Sequence, residues 1–174
     1  MNVPDSIVVS DKLLLRQLQK NEAEVLFALT DANREHIGTW LPWVETTLAP
    51  SDSQAFIEKM LASRQDGTEY GYGIYVDGQL AGHIVLRPKT DDEADIGYWI
   101  AASVSGHGHT TAAVEALCKL GFEALKVPKI IIKAQPDNLA SNRVAEKAGF
   151  HLAGQQPEPI LDNLPVNVWE RNRA

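Results

Sequence analysis

The spacing of apolar residues changes several times along this chain, and each change marks an element. Ile7, Val8 and Val9, followed by Leu13 and Leu15 among Lys12, Leu14 and Arg16, predict a first strand over residues 7–18. Asn21 with Glu24 three residues on has the form of a helix start, and Val25, Leu26 and Leu29 supply its apolar face. A short second helix is expected from Asp31 to Thr39, ending where Pro42 interrupts Trp40-Leu41-Pro42-Trp43. Phe56, Ile57, Met60 and Leu61 then recur at helical spacing between a start at Ser51 or Asp52 and a stop at Gly67. Beyond Gly67 the period shortens to two. Tyr70–Val76 and Leu80–Leu86 flank the turn pair Asp77-Gly78, and Ala94–Ile100 follows the acidic turn Asp91-Asp92-Glu93. Helical spacing returns in Ala113, Leu117, Leu120 and Ala124, predicting a helix over 110–125. Ile130–Ala134 reads as a short buried strand and Asn138–Ala148 as a last helix closed by Gly149, with strands near 150–156 and 164–171 to finish. One strand, three helices, three strands, then helix, strand, helix and two strands is a mixed α/β order with a strand–helix–strand crossover in its later half.

Composition narrows the class. No repeat, low-complexity run or Pro/Gly/Ser linker divides the 174 residues, so residues 1–174 are expected to form a single domain. The lone Cys118 is incompatible with a disulfide framework or a cysteine-rich zinc site. Ile130-Ile131-Ile132 is far short of the ~20 apolar residues of a membrane helix. The start of the chain, with Asp5 and Asp11, has no apolar signal core, so a cytoplasmic location is expected. A net charge of −7 and a pI near 5.2 speak against nucleic-acid or anionic-membrane partners. Most of the excess acid lies before residue 88, while Lys126, Lys129, Lys133, Arg143 and Lys147 gather in the second half. That asymmetry would suit a cationic substrate meeting an anionic cofactor, and solvated surface charge explains it equally.

The chemistry concentrates where a strand ends in Ile96-Gly97-Tyr98-Trp99-Ile100 and a long helix begins after Ser105-Gly106-His107-Gly108-His109-Thr110-Thr111. Backbone N–H groups at a helix start lack intrahelical partners and bind phosphate oxygens, with glycine allowing close approach. A tight turn that needs glycine only for its conformation is the competing reading. No third glycine at dinucleotide spacing and no Gly-Lys-Ser/Thr accompanies the pair. His107 and His109 have no third metal ligand nearby, so no metal is expected. In the last helix, Ser141 beside Asn138 reads either as part of a helix cap or as a chemical group.

Several segments taken in order resemble the GNAT superfamily of N-acetyltransferases, within it the branch acting on ribosomal-protein serine and alanine N-termini. They are Leu13-Leu14-Leu15-Arg16-Gln17-Leu18, Asp31-Ala32-Asn33-Arg34-Glu35-His36 with Trp40-Leu41-Pro42-Trp43, Ile96-Gly97-Tyr98-Trp99, Asn138-x-x-Ser141, and Glu146-Lys147-x-Gly149-Phe150. The resemblance implies an α/β (α+β), mostly antiparallel central sheet of about seven strands, flanked by helices, with a splayed central pair. It implies acetyl-CoA as donor and direct transfer to a primary amine, a protein N-terminus in this branch. The cofactor would be held by Ser105, Gly106, His107, Gly108, His109, Thr110 and Thr111, by Trp99, Ile100 and Ala101 at the strand end, and by Asn138 and Arg143. Ser105 stands where the branch usually has Gln or Arg. Ser141 matches the proton donor to the leaving thiolate, and Glu158, then Asp95, are the candidate bases that neutralise the amine. Asn33, Arg34, His36, Trp40 and Tyr98 would line the acceptor site. Acetylation of a small-molecule or antibiotic amine, and a non-catalytic acyl-CoA-binding module, are the alternatives, and a homodimer is left open.

Overall fold

The computed structural model describes residues 2–174. Eight strands form one sheet: β1 (Ser6–Val8), β2 (Leu13–Arg16), β3 (Tyr70–Val76), β4 (Gln79–Thr90), β5 (Glu93–Ile100), β6 (Lys129–Ala134), β7 (His151–Glu158) and β8 (Leu164–Asn172). Five helices join them: α1 (Ala23–Ala32), α2 (Arg34–Gly38), α3 (Pro50–Asp66), α4 (His109–Glu123) and α5 (Leu139–Lys147). The spatial order is β1-β2-β3-β4-β5-β6-β8-β7. Every neighbouring pair is antiparallel except β5 and β6, which α4 connects as a crossover. The mixed, mostly antiparallel architecture is the expected one, with one strand more.

The extra strand comes from the first apolar run. Ser10 Oγ accepts from the Leu13 N–H at 3.1 Å and the Lys12 N–H at 3.3 Å, folding residues 10–12 into a turn. The run becomes a hairpin, β1 against β2, instead of one strand over 7–18. Turn and stop residues elsewhere act as predicted. Asp77 and Gly78 take positive φ (51° and 80°) between β3 and β4, and Gly67 and Gly149 end α3 and α5 in the left-handed region.

Side chains alternate across the sheet, and the two faces are covered differently. Ile74, Ile84, Ile96, Ile130 and Ile132 pack with Ala113, Val114 and Leu117 of α4 and Ala145 of α5. On the opposite face Tyr75 joins Leu26 of α1 and Ile57 of α3, with Trp99 packed against them. The sheet therefore separates an α4–α5 face from an α1–α3 face, and each residue of β5 belongs to one or the other.

The sheet is not bonded throughout. β5 and β6 pair only at Ala94↔Ile130 and Asp95↔Ile131. Beyond Asp95, β5 stays on β4 through Ile100↔Gly82, while β6 stays on β8 through Ala134↔Asn167. The strands diverge and leave a V-shaped opening through the sheet. Gly82 keeps the β5 end on its own side, because a Cβ there would lie 2.2 Å from the Trp99 carbonyl oxygen.

At the start of α1 the cap is Glu22, not the Asn21–Glu24 pair. Its carboxylate accepts from the Gln19 N–H at 2.8 Å, from Arg16 Nη2 at 2.9 Å and from the Tyr75 hydroxyl. Burial works to raise this carboxyl, and the donations from Tyr75, Gln19 and Arg16 outweigh it, holding it below the usual carboxylate range. Folding thus favours the charged form. The stabilisation is complete above the unfolded-state value of ~4.3 and is lost as pH falls through the lower folded value. Glu22→Gln is expected to cost roughly 1–3 kcal/mol at neutral pH. Urea melts of parent and variant should show that gap narrowing below about pH 4; equal gaps at pH 7 and pH 3 would contradict the assignment.

Candidate active site

The opening between β5 and β6 meets a different set of groups on each face. At the end of β5 the chain turns through Ala102–Val104 and reaches α4 by an exposed loop. Gly106 and Gly108 adopt φ of 81° and 82°, so glycine is required there for conformation. Among the described residues, no N–H from Gly106 to Thr111 donates to another part of the chain; the first helical bond runs from Ala112 to the Gly108 carbonyl. A Cβ on either glycine would meet nothing within 4 Å. The result is an open row of backbone donors at the positive end of a fifteen-residue helix, suited to an anion. Ser105 folds its hydroxyl onto the Ala102 carbonyl at 2.8 Å and supplies no side chain to that row.

α5 begins beside the same face. Asn138 caps it, its Oδ1 accepting from the Ser141 N–H at 3.2 Å. Asn142 donates to the Gln135 and Asn138 carbonyls and accepts from Trp169 Nε1 and Asn167, which fixes α5 against β6 and β8. The Tyr98 hydroxyl donates to the Ser141 carbonyl at 3.0 Å and lies 3.1 Å from Ser141 Oγ. Tyr98 was expected on the acceptor wall. It points instead to the α4–α5 face, since it shares strand parity with Ile96 and Ile100. Burial pushes its phenol up to about 12, with the hydrogen bond to Ser141 opposing, so it is protonated at neutral pH. Trp99 faces the other way, 6.1 Å from Trp43; only its backbone borders the opening toward the cofactor loop.

The α1–α2 segment borders the exit of β5, and hydrogen bonds to the chain hold Asn33 and Arg34 there. Asn33 Oδ1 accepts from the Ala102 N–H at 3.0 Å and its Nδ2 donates to the Leu29 carbonyl at 2.8 Å, tying the end of α1 to the exit of β5. Arg34 engages Asp31 at 2.7 Å, the Val44 carbonyl at 2.9 Å and the Thr47 carbonyl. Both brace the segment, and both also line the recess that opens there. That recess, of about 530 Å³, is lined by residues 31–36 and Ala102. His36 is exposed at its edge, and the Trp40 carbonyl receives a long contact of 3.5 Å from Gln135 Nε2, beyond the end of β6.

The candidate bases differ in their freedom. Asp95 is buried, with Oδ1 on Arg87 Nε at 2.7 Å and Oδ2 3.7 Å from Lys89. Two cations thus compete with an amine proton for that carboxylate. Glu158 has one oxygen 3.3 Å from Lys133. Of the basic residues noted in the sequence, Lys129 pairs with Glu93 and Glu170 and Lys133 with Glu158, while Arg143 and Lys147 are exposed on α5, Arg143 two residues from Ser141 and Lys147 at the far end of the helix. Two groups were not singled out from sequence. Arg87 sits opposite Asp95 across the β4–β5 turn, and charge complementarity at that register was the available signal. His83 is buried edge-on to Phe56, its imidazole pushed down to about 4 by burial and then by Arg87. The Cys118 thiol is pushed up to about 11 by burial and is no nucleophile at neutral pH. No group of three metal-ligating side chains occurs among the described residues, nor is any helix long and apolar enough to cross a membrane.

This split sheet, with a donor row at one face and a walled recess at the other, defines an acyl-CoA-dependent transferase. The chain belongs to the acetyltransferase (GNAT) domain family, which it matches over residues 12–151. It is 33% identical over 165 residues to the "Putative ribosomal N-acetyltransferase YdaF" of Bacillus subtilis (strain 168), covering 91% of this chain and 86% of that protein. The ribosomal-protein-serine acetyltransferase of Escherichia coli (strain K12) is 27% identical over 172 residues, 96% of both chains. Among solved structures, the microcin C7 self-immunity acetyltransferase MccE with acetyl-CoA and AMP superposes with a TM-score of 0.91 at 27% identity, covering 98% of this chain and 97% of that one. RimL, the ribosomal L7/L12 α-N-protein acetyltransferase in complex with coenzyme A, gives 0.89 at 25% identity, covering 97% and 98%. The protein is an acetyl-CoA-dependent N-acetyltransferase.

If Arg34 is a brace, Arg34→Ala should loosen residues 43–47 without touching the cofactor loop. Amide exchange at Val44 and Thr47, whose N–H groups bond within that turn, is expected to quicken roughly tenfold or more, as for the loss of a ~1.4 kcal/mol restraint. Unchanged exchange there would return Arg34 to the list of free ligands.

Proposed function

We propose that the chain acetylates the α-amino group of a protein or peptide N-terminus by direct transfer from acetyl-CoA. The observation that carries this reading is the opening beyond Asp95 and Ile131, reached from opposite faces by the Gly106–Thr111 donor row and by the recess beside α2. In this reading the pyrophosphate lies on the backbone donors of Gly106–Thr111, and the pantetheine arm follows the unpaired edge of Trp99–Ala101. The acetyl group then enters the opening from the α4–α5 face and the amine from the α1–α3 face.

The amine nitrogen attacks the thioester carbonyl carbon, forming the C–N bond. The C–S bond breaks, its electron pair leaves on sulfur, and the amine gives up a proton. Ser141 Oγ–H, 3.1 Å from Tyr98 Oη, protonates the sulfur, and the tyrosine hydroxyl orients it. Glu158 is the better base. It keeps one oxygen clear of Lys133, and β6 parity sets Lys133 opposite the α4–α5 face, on the side from which the amine arrives. An α-amine of pKa ~7.7–8.0 needs little help, whereas a lysine amine near ~10.4 would need more. That difference supports the α-amine, together with the relatives named as a ribosomal N-acetyltransferase and a ribosomal-protein-serine acetyltransferase and the likeness to RimL, an α-N-protein acetyltransferase. A small-molecule amine is the second reading, supported by the likeness to MccE, whose structure holds AMP beside acetyl-CoA.

Thiol release from acetyl-CoA with lysine-free peptides, polyamines and aminonucleotides as acceptors decides between them: peptides are expected to turn over with the highest kcat/KM, and preference for an aminonucleotide would overturn the proposal. Ser141→Ala is expected to lower kcat by ~10²-fold or more with the KM for acetyl-CoA nearly unchanged. Retained kcat with only a cap-sized loss of stability, about 1 kcal/mol, would leave Ser141 a capping neighbour of Asn138. Gly108→Asn, a residue that tolerates the left-handed region, should fold and bind CoA at least ~10-fold more weakly because its side chain enters the phosphate space. Unchanged CoA affinity would remove the cofactor from that loop.

A further inference from the structure

Asp95 and Arg87 form a unit whose purpose the transfer chemistry above does not use. They face each other across β4 and β5, next to the last residue pair that bonds β5 to β6. The carboxylate holds the guanidinium at one point, Nε, at 2.7 Å. Among the described residues neither η-nitrogen of Arg87 donates to a protein acceptor, and the side chain is 34% exposed. The fork does not extend into solvent. It lies across Gly97, where an added Cβ would come 2.9 Å from Nη2 and 3.7 Å from Nη1. Gly97 is the second residue beyond Asp95, so the free edge of the fork stands at the mouth of the opening. It lies on the face shared by Asp95, Gly97 and Trp99, the side assigned to the amine. Arg16 and Arg34, also on this side, are already engaged, Arg16 by Glu22 and Arg34 by Asp31 and its own loop.

Resting on the α-amine reading, we infer that Arg87, aimed by Asp95 across side-chain-free Gly97, is a specificity-determining residue for the acceptor. Its two η-nitrogens take the carbonyl or carboxylate oxygen bonded next to the α-carbon, which lies within about 3 Å of the amine by covalent geometry. A planar fork with two parallel donors suits such an oxygen, and a lysine ammonium would not reproduce it. Asp95 is then a positioning residue. It fixes the guanidinium plane and balances its charge at a half-covered site, which explains why it pairs with cations instead of serving as the base. Gly97 supplies the space.

The test compares a lysine-free alanyl peptide amide with isopropylamine, which keeps the amine-bearing carbon and its methyl group but lacks the carbonyl. Because the alkylamine is also the more basic, the readout is the change that each variant makes in the ratio of the two. With wild-type protein, kcat/KM should favour the peptide. Arg87→Gln and Asp95→Asn should each lower kcat/KM for the peptide by roughly 10- to 100-fold, raise its KM more than they lower kcat, and leave isopropylamine and the KM for acetyl-CoA unchanged. Arg87→Lys should recover only part of the loss, and melting curves should stay close to the parent's. An equal fall for both acceptors, with lowered melting, means the pair only holds β4 to β5, and an unaltered peptide-to-alkylamine ratio likewise overturns the inference while leaving the α-amine reading standing. Wild-type protein that acetylates isopropylamine but no peptide would overturn that reading and this inference with it.

Discussion

Everything chemical in this protein depends on two parallel strands that begin as neighbours and do not remain so. A parallel pair in the middle of a sheet ordinarily continues its ladder, because unpaired buried N–H and C=O groups are costly. Here each strand has a stronger claim elsewhere. β5 runs with β4 for its whole length, with backbone approaching so closely at Gly82 that no side chain fits, and β6 runs with β8 to Ala134. The hydrogen-bonding edges left between them open onto a cleft that a thioester arm can satisfy. In the proposed transfer the same divergence would let the two substrates meet through the sheet from opposite sides, so that neither has to pass the other.

The two faces divide the electrostatics. On the α4–α5 side the attracting groups are backbone donors at a helix start, with Arg143 and Lys147 exposed on α5; the tyrosine and serine hydroxyls are held there in a mutual contact. On the α1–α3 side the charges come as pairs, Arg87 with Asp95, Lys133 with Glu158 and Lys129 with Glu93 and Glu170. Of the excess acid in the first half of the chain, Asp31 and Glu35 line the recess, and Glu22 is tied to Arg16, Gln19 and Tyr75.

Local chemistry made much of the fold legible beforehand. Asp77-Gly78, Gly67 and Gly149 carry their conformational instruction in single residues, and the helix and strand periods on either side agreed with them. The first hairpin was hidden because Ile7–Val9 and Leu13–Leu15 were read as one strand across Ser10-Asp11-Lys12, the three residues that Ser10 Oγ and the Leu13 carbonyl fold into a turn. In the site, the geometry of the Gly106–Gly108 loop was legible, because two glycines between a strand and a helix mark a turn with positive φ and open backbone donors. Tyr98 and Trp99 were not assignable to faces, since parity separates them without saying which face holds the cofactor loop. The bracing bonds of Asn33 and Arg34 were not legible, because their partners, Ala102, Val44 and Thr47, are close only after folding. Arg87 carried no motif at all, and its meaning comes from a register and from the missing side chain at Gly97.

The central claim is that the donor occupies the β5–β6 opening from the α4–α5 face. Amide hydrogen exchange of the whole chain, with and without saturating CoA, tests it most directly. Protection is expected at Gly106–Thr111 and at Trp99–Ala101, with residues 33–47 unchanged until an acceptor is added. Protection by CoA confined to residues 33–47, or none at Gly106–Thr111, would contradict the account.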